Sequence, residues 1–193
     1  MSVIVLFTLC SLIKNRFIDN IDDLLNLALI IALAAAISSL TTHFFIKPFF
    51  GRERFRAIHY FDCTSHAIAD QGFTRWYVLN GNASDIAASF NDSFVTKDFF
   101  KSFTSGHTTS CSMVYVIMLL PLLYDYFKSK KGKILCVAIP ITIMALVATS
   151  RIVMGAHYLS DVLVGGTIGF LSVVLGFYLN KWCVYNLFSK IFK

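Results

Sequence analysis

In the stretch SRIVMGAHYLSD, His157 and Asp161 stand four residues apart and Arg151 precedes the histidine by six. If a helix begins near Gly155, the pair shares one face, and a carboxylate bonded to Nδ1 fixes the imidazole tautomer. Nε2 is then left as a nucleophilic lone pair. A second histidine, His107, follows Ser105 and Gly106, while Lys47 and Arg54 stand seven positions apart in KPFFGRER. Phosphoryl transfer needs such a set, because its transition state spreads charge over three equatorial oxygens that cations and donors must surround. Lys47, Arg54 and Arg151 would bind the phosphate as cations. Ser105 and the Gly106 amide would add hydrogen bonds at a helix start, where the dipole favours an anion. His107 would act as the general acid.

Apolar helices must position these groups. Residues 24 to 46 contain no Asp, Glu, Lys or Arg, and at about 1.5 Å per residue they cover the roughly 30 Å hydrocarbon core of a bilayer. Three further runs, 109 to 124, 134 to 149 and 158 to 180, read as spans; the middle one carries Pro140, which membrane helices tolerate. The opening MSVIVLFTLCSLI is short for a span and lacks a positive n-region and an A-x-A-like cleavage site. It reads as a short first span rather than a signal peptide. Between the spans, residues 55 to 103 form a long loop dense in aromatics, expected to fold into short interfacial helices. The tail 181 to 193 has the pattern of an in-plane helix.

Composition narrows the class. With 56% hydrophobic residues the chain is an integral membrane protein rather than an ordinary soluble domain. A charge of +6 would raise nucleic acid in a soluble protein, but the basic residues here surround apolar spans, so no nucleic-acid partner is expected. Five cysteines without a CxxC pair indicate neither a disulfide framework nor a metal site, and no cofactor is expected. Lys and Arg counts nearly tie between the two sides of the bilayer. The positive-inside rule weights short loops, however, and 128 to 133 alone carries four lysines. That loop and the C-terminus are therefore placed in the cytoplasm, with the reactive residues facing outward.

Lys47 and Arg54, then Ser105-Gly106-His107, then Ser150-Arg151 with His157 and Asp161 resemble, in order and spacing, the signature of the type 2 phosphatidic acid phosphatase superfamily (KxxxxxxRP, PSGH, SRxxxxxHxxxD). The resemblance covers residues 24 to 180. Phe55 and Thr104 stand where the family has proline, a departure that touches loop rigidity rather than a reacting atom. The resemblance implies a six-span bundle, where this chain shows five apolar runs, and no metal cofactor. It also implies a phosphohistidine on His157, protonation of the leaving oxygen by His107, and lipid phosphates or polyprenyl pyrophosphates as substrates.

Taken singly, Lys47 or Arg54 would pass as a headgroup anchor and His107 as an interfacial residue; their common register argues for chemistry. Arg52 and Arg56 fit no motif position and stay undecided. His43 is read as bonding a neighbouring helix, His59 and His66 as loop histidines, and Gly165 and Gly169 as packing helices within the monomer. The expectation is one domain over 1–193, an all-α polytopic bundle of about five visible spans. Its activity is removal of phosphate from a lipid at the outer face of a bacterial plasma membrane. A lipid phosphotransferase using the same phosphoenzyme, or a non-catalytic anion-binding membrane protein, are the alternatives.

Overall fold

The computed structural model describes residues 21–59, 74–90 and 95–183. The opening run 1–13, His66, parts of the aromatic loop and the tail beyond Cys183 lie outside the described residues. Within them the chain is helical and without strands, and four helical stretches are long and apolar enough to cross a membrane.

The first, α1 (Ile21–Leu40), continues as a π-helix over Thr41–Ile46 and ends in one α turn, Lys47–Phe50. The widened segment lies just upstream of Pro48, which lacks an N–H and whose ring would collide with the carbonyl one turn back. The Lys47 N–H reaches back to the Thr42 carbonyl instead. Gly51, at φ +43, then reverses the chain. A side chain there would meet Ile86 and the Gly81 carbonyl, so the turn brings Arg52 and Glu53 inward only because residue 51 is glycine.

The loop that follows folds partly as expected. It contains α2 (Phe55–His59), α3 (Ala83–Ser89), capped by the Asn82 side chain, and a 3₁₀ turn at Lys97–Phe100. Ala83, Ala87, Val95 and Phe100 form a small core of its own, with Phe90 stacked on Phe100 at 5.5 Å.

The next span, α4 (Gly106–Leu123), is 3₁₀ over Ser112–Leu119. It is followed by α5 (Lys130–Val153) and α6 (Leu159–Cys183). Leu27, Ile30 and Ala34 of α1, Val116 of α4 and Val173 of α6 make the central core. Large apolar side chains on the outside, among them Phe44, Leu146 and Leu163, form the face a bilayer would cover.

Glycines set how closely α6 approaches its neighbours. A Cβ on Gly165 would lie 2.9 Å from the Ser105 carbonyl and one on Gly176 would lie 3.0 Å from that of Ile30. On Gly169 it would overlap the Ser112 side chain. The Gly165/Gly169 pair thus packs α6 against α4 inside the monomer, as small-residue spacing in membrane helices does. Gly169→Val is expected to cost about 1–3 kcal/mol of stability by overpacking, read as a lowered thermal midpoint of the detergent-solubilised protein. An unchanged midpoint would show that α4 and α6 do not meet at this point.

Candidate active site

The three segments singled out by sequence meet at one end of the bundle. The Arg54 N–H donates to the Phe99 carbonyl (2.7 Å), Ser102 N–H to the Arg52 carbonyl (2.9 Å), Arg56 N–H to the Gly155 carbonyl (2.8 Å) and Ser105 N–H to the Asp161 carbonyl (3.2 Å). Backbone bonds therefore hold the end of α1, the start of α4 and the start of α6 together before any side chain is considered. Arg151 and the lysines at 130, 131 and 133 occupy opposite ends of α5, whose 24 residues extend about 36 Å.

Asp161 is fully buried, and its carboxylate is surrounded by donors. Oδ1 accepts from Arg52 Nη1 at 2.5 Å; Oδ2 accepts the Ser102 hydroxyl and the Tyr158 N–H, the latter at 3.0 Å. The bond from Tyr158 is the return arm of a capping box, an acidic residue in the first helical turn reaching back to the residue before the helix. Here the structure corrects the sequence reading. The helix begins at Leu159 rather than near Gly155, because Gly155 (φ +61) and the turn after it close α5 first. His157 thus lies outside α6.

Its Nδ1 sits 3.8 Å from Asp161 Oδ2, too far for a hydrogen bond, and 2.7 Å from the Ser102 carbonyl. A carbonyl can only accept, so Nδ1 carries the proton and Nε2 keeps its lone pair. The tautomer expected from sequence is retained, but a main-chain oxygen fixes it and not the carboxylate. The carboxylate is engaged elsewhere, by Arg52 and the Ser102 hydroxyl.

Around His157 lie the remaining groups. His107 is exposed on the first turn of α4, within electrostatic reach of Arg151, His157, Arg54 and Lys47. Lys47 Nζ rests over Gly106, 3.2 Å from where a Cβ would stand. Arg54 is half-buried and its Nε has no hydrogen-bond partner among the described residues. Ser105 is buried and caps α4, its oxygen accepting from the Thr108 N–H (3.3 Å) and hydroxyl (2.8 Å), which leaves its own proton to donate. Arg151 bonds locally to Met154 Sδ at 3.1 Å. All eight residues proposed from sequence are thus gathered at one end. His43 is exposed and lines a groove of about 430 Å³ between α1 and α4 that ends at Gly106.

Two residues were not legible as part of the site. Ser102 serves it three ways, through its N–H, hydroxyl and carbonyl, yet no spacing rule marks it. Arg52 read as one of four cations in a basic string. It is 1% exposed, and its guanidinium lies 4.1 Å over the Tyr158 ring. Burial pushes the Tyr158 phenol well above its usual value, so that ring stays neutral beneath the cation.

Apolar helices long enough to span a bilayer, with histidines and cations gathered at one end, have the form of a polytopic membrane protein. The PAP2 superfamily model matches residues 23–185, and the chain belongs to that superfamily. Neither a curated protein nor a solved structure matches the chain.

Breaking the Asp161–Arg52 pair from one side leaves a buried charge uncompensated. Asp161→Ala is expected to destabilise the protein by about 3–5 kcal/mol, and adding Arg52→Met should recover part of that loss. Denaturation in detergent measures both. Losses that simply add would show that the pair is not coupled.

Proposed function

We propose that the protein is a metal-independent membrane phosphatase acting on a lipid phosphate monoester or a polyprenyl pyrophosphate through a phosphohistidine at His157. One observation carries the reading: the hydrogen bond from His157 Nδ1 to the Ser102 carbonyl at 2.7 Å holds the imidazole in the tautomer whose Nε2 can attack phosphorus. Asp161, 3.8 Å away, stabilises by its charge the cationic ring that forms when Nε2 is phosphorylated.

In this mechanism Nε2 attacks in line and forms a P–N bond as the bond from phosphorus to the leaving oxygen breaks. His107 gives its proton to that oxygen. Lys47, Arg54, Arg151, the Ser105 hydroxyl and the Gly106 amide bind the equatorial oxygens. Water then attacks phosphorus, returns a proton to His107, and the P–N bond breaks to release phosphate. A lipid alcohol in place of water would make the same phosphoenzyme a phosphotransferase; release of free phosphate separates the two. An anion-binding scaffold would need the cations but neither histidine.

The short lysine-rich loop at the far end of α5 supports a site on the outer face. The apolar surface and the groove ending at Gly106 agree with a lipid substrate held at the bilayer boundary.

Leaving-group chemistry tests the acid. A monoester expels an alkoxide, so His107→Ala should lose about 10²–10⁴-fold in kcat on phosphatidate. Undecaprenyl pyrophosphate expels a phosphate, which departs more readily, and the loss there should be far smaller. An equal loss on both substrates, measured as phosphate release from the purified protein, would remove His107 from the role of acid.

A further inference from the structure

Arg52 lies outside the phosphate-binding set, yet three of its hydrogen bonds reach two separate parts of the chain. Nη1 donates to Asp161 Oδ1 (2.5 Å) and to Ser160 Oγ (2.8 Å), while Nε donates to the Thr74 carbonyl at 2.9 Å. The next residue, Glu53, is also buried and takes the Thr74 N–H on Oε1 at 2.6 Å. Both main-chain polar groups of Thr74 are thus held by two consecutive buried side chains. These same side chains sit on the turn that Gly51 makes possible. Beyond Thr74, Trp76 stacks on Phe103 (6.2 Å, 30°), the residue after the one whose carbonyl holds His157. Trp76, Tyr77, Val78 and Leu79 are exposed.

We propose that Arg52, with Glu53, is a positioning residue that couples the Thr74–Leu79 segment to the orientation of His157, acting through Asp161 and Ser102 and not through contact with phosphate. The proposal rests on His157 being the nucleophile. A guanidinium is a planar fork with fixed N–H directions, so seating it on Asp161 and Ser160 also fixes where Nε finds the Thr74 carbonyl. Displacement of the Thr74–Leu79 segment therefore pulls on Arg52. Through Asp161 it alters the hold on the Ser102 hydroxyl, and the Ser102 carbonyl is the partner that aims the imidazole. An attacking atom misplaced by about an ångström costs on the order of 10²-fold in rate. Exposed aromatic and aliphatic side chains on the segment make its seating responsive to the bilayer surface, where the substrate resides.

The role differs from phosphate binding in what it should change. Arg52→Lys keeps the charge but has one head and no fork, so kcat should fall by about ten- to a hundredfold. KM on phosphatidate micelles and inhibition by orthovanadate should stay within about threefold, since no group that binds the equatorial oxygens has been touched. Rates are normalised to vanadate-binding sites, so a loss of folded protein does not count as a loss of rate.

The coupling has its own readout, which needs no turnover. In the full chain carrying Trp182→Phe, Trp76 is the one remaining tryptophan. Asp161→Asn does not touch the Thr74 segment, yet it weakens the seat of Arg52 and should raise acrylamide quenching of Trp76. Glu53→Gln should do the same and lower kcat severalfold, which covers the case in which Arg52→Lys fails to fold. The proposal is overturned if vanadate inhibition weakens in parallel with kcat in Arg52→Lys, which would make Arg52 a phosphate ligand. It is overturned equally if Trp76 quenching is the same in Asp161→Asn, in Glu53→Gln and in their parent. The quenching result stands whether or not phosphatidate proves to be a substrate, so failure of the coupling is distinguishable from failure of the phosphatase reading.

Discussion

A carboxylate with no exposure to solvent is the constraint on which the rest of this structure depends. Asp161 can remain ionised inside the protein only if donors replace the water it has lost. Those donors come from separate places: Arg52 after α1, Ser102 before α4, and the Tyr158 N–H at the start of α6. Satisfying one anion therefore fixes three loops that would otherwise be connected only by the helices behind them. The glycines of α6 allow the close approach that makes this geometry available, since Gly165 lies directly under Ser105.

The same constraint shapes the chemistry. A carboxylate bonded directly to imidazole both orients the ring and raises its basicity. Here orientation and charge are divided, the Ser102 carbonyl doing the first at 2.7 Å and Asp161 contributing the second from 3.8 Å. In the proposed mechanism His157 must be neutral before attack and cationic after it, and such a nucleophile would benefit from this division. The carbonyl fixes the tautomer without competing for a proton, and the nearby anion favours the charged product. Arg52, in turn, partly offsets the field of Asp161 and ties it to Thr74.

Much of this was legible in the sequence because it is local. Charge-free runs of membrane length mark the spans, and the residues bearing reactive atoms sit at fixed offsets beside them, so Lys47, Arg54, His107, His157 and Asp161 could be named and grouped at one end. What was not legible depends on contacts between distant segments. Ser102 carries no periodic or compositional mark, and its importance arises only when the loop before α4 meets the start of α6. Arg52 and Arg56 look equivalent in GRERFR, and only the left-handed Gly51 turn buries the first so deeply. The helix start was misplaced by four residues, from Gly155 to Leu159, because the sequence does not reveal that Gly155 takes the positive φ that ends the preceding helix.

The central claim is that His157 attacks through Nε2 because its Nδ1 is committed to the Ser102 carbonyl. Phosphohistidine isomers are chemically distinct, so the most direct test is to trap the phosphoenzyme from labelled substrate, hydrolyse it in alkali, and identify the isomer and its position in the chain. The account predicts phosphate on Nε2 of His157. Phosphate on Nδ1 of that residue, or on any other side chain, would contradict it.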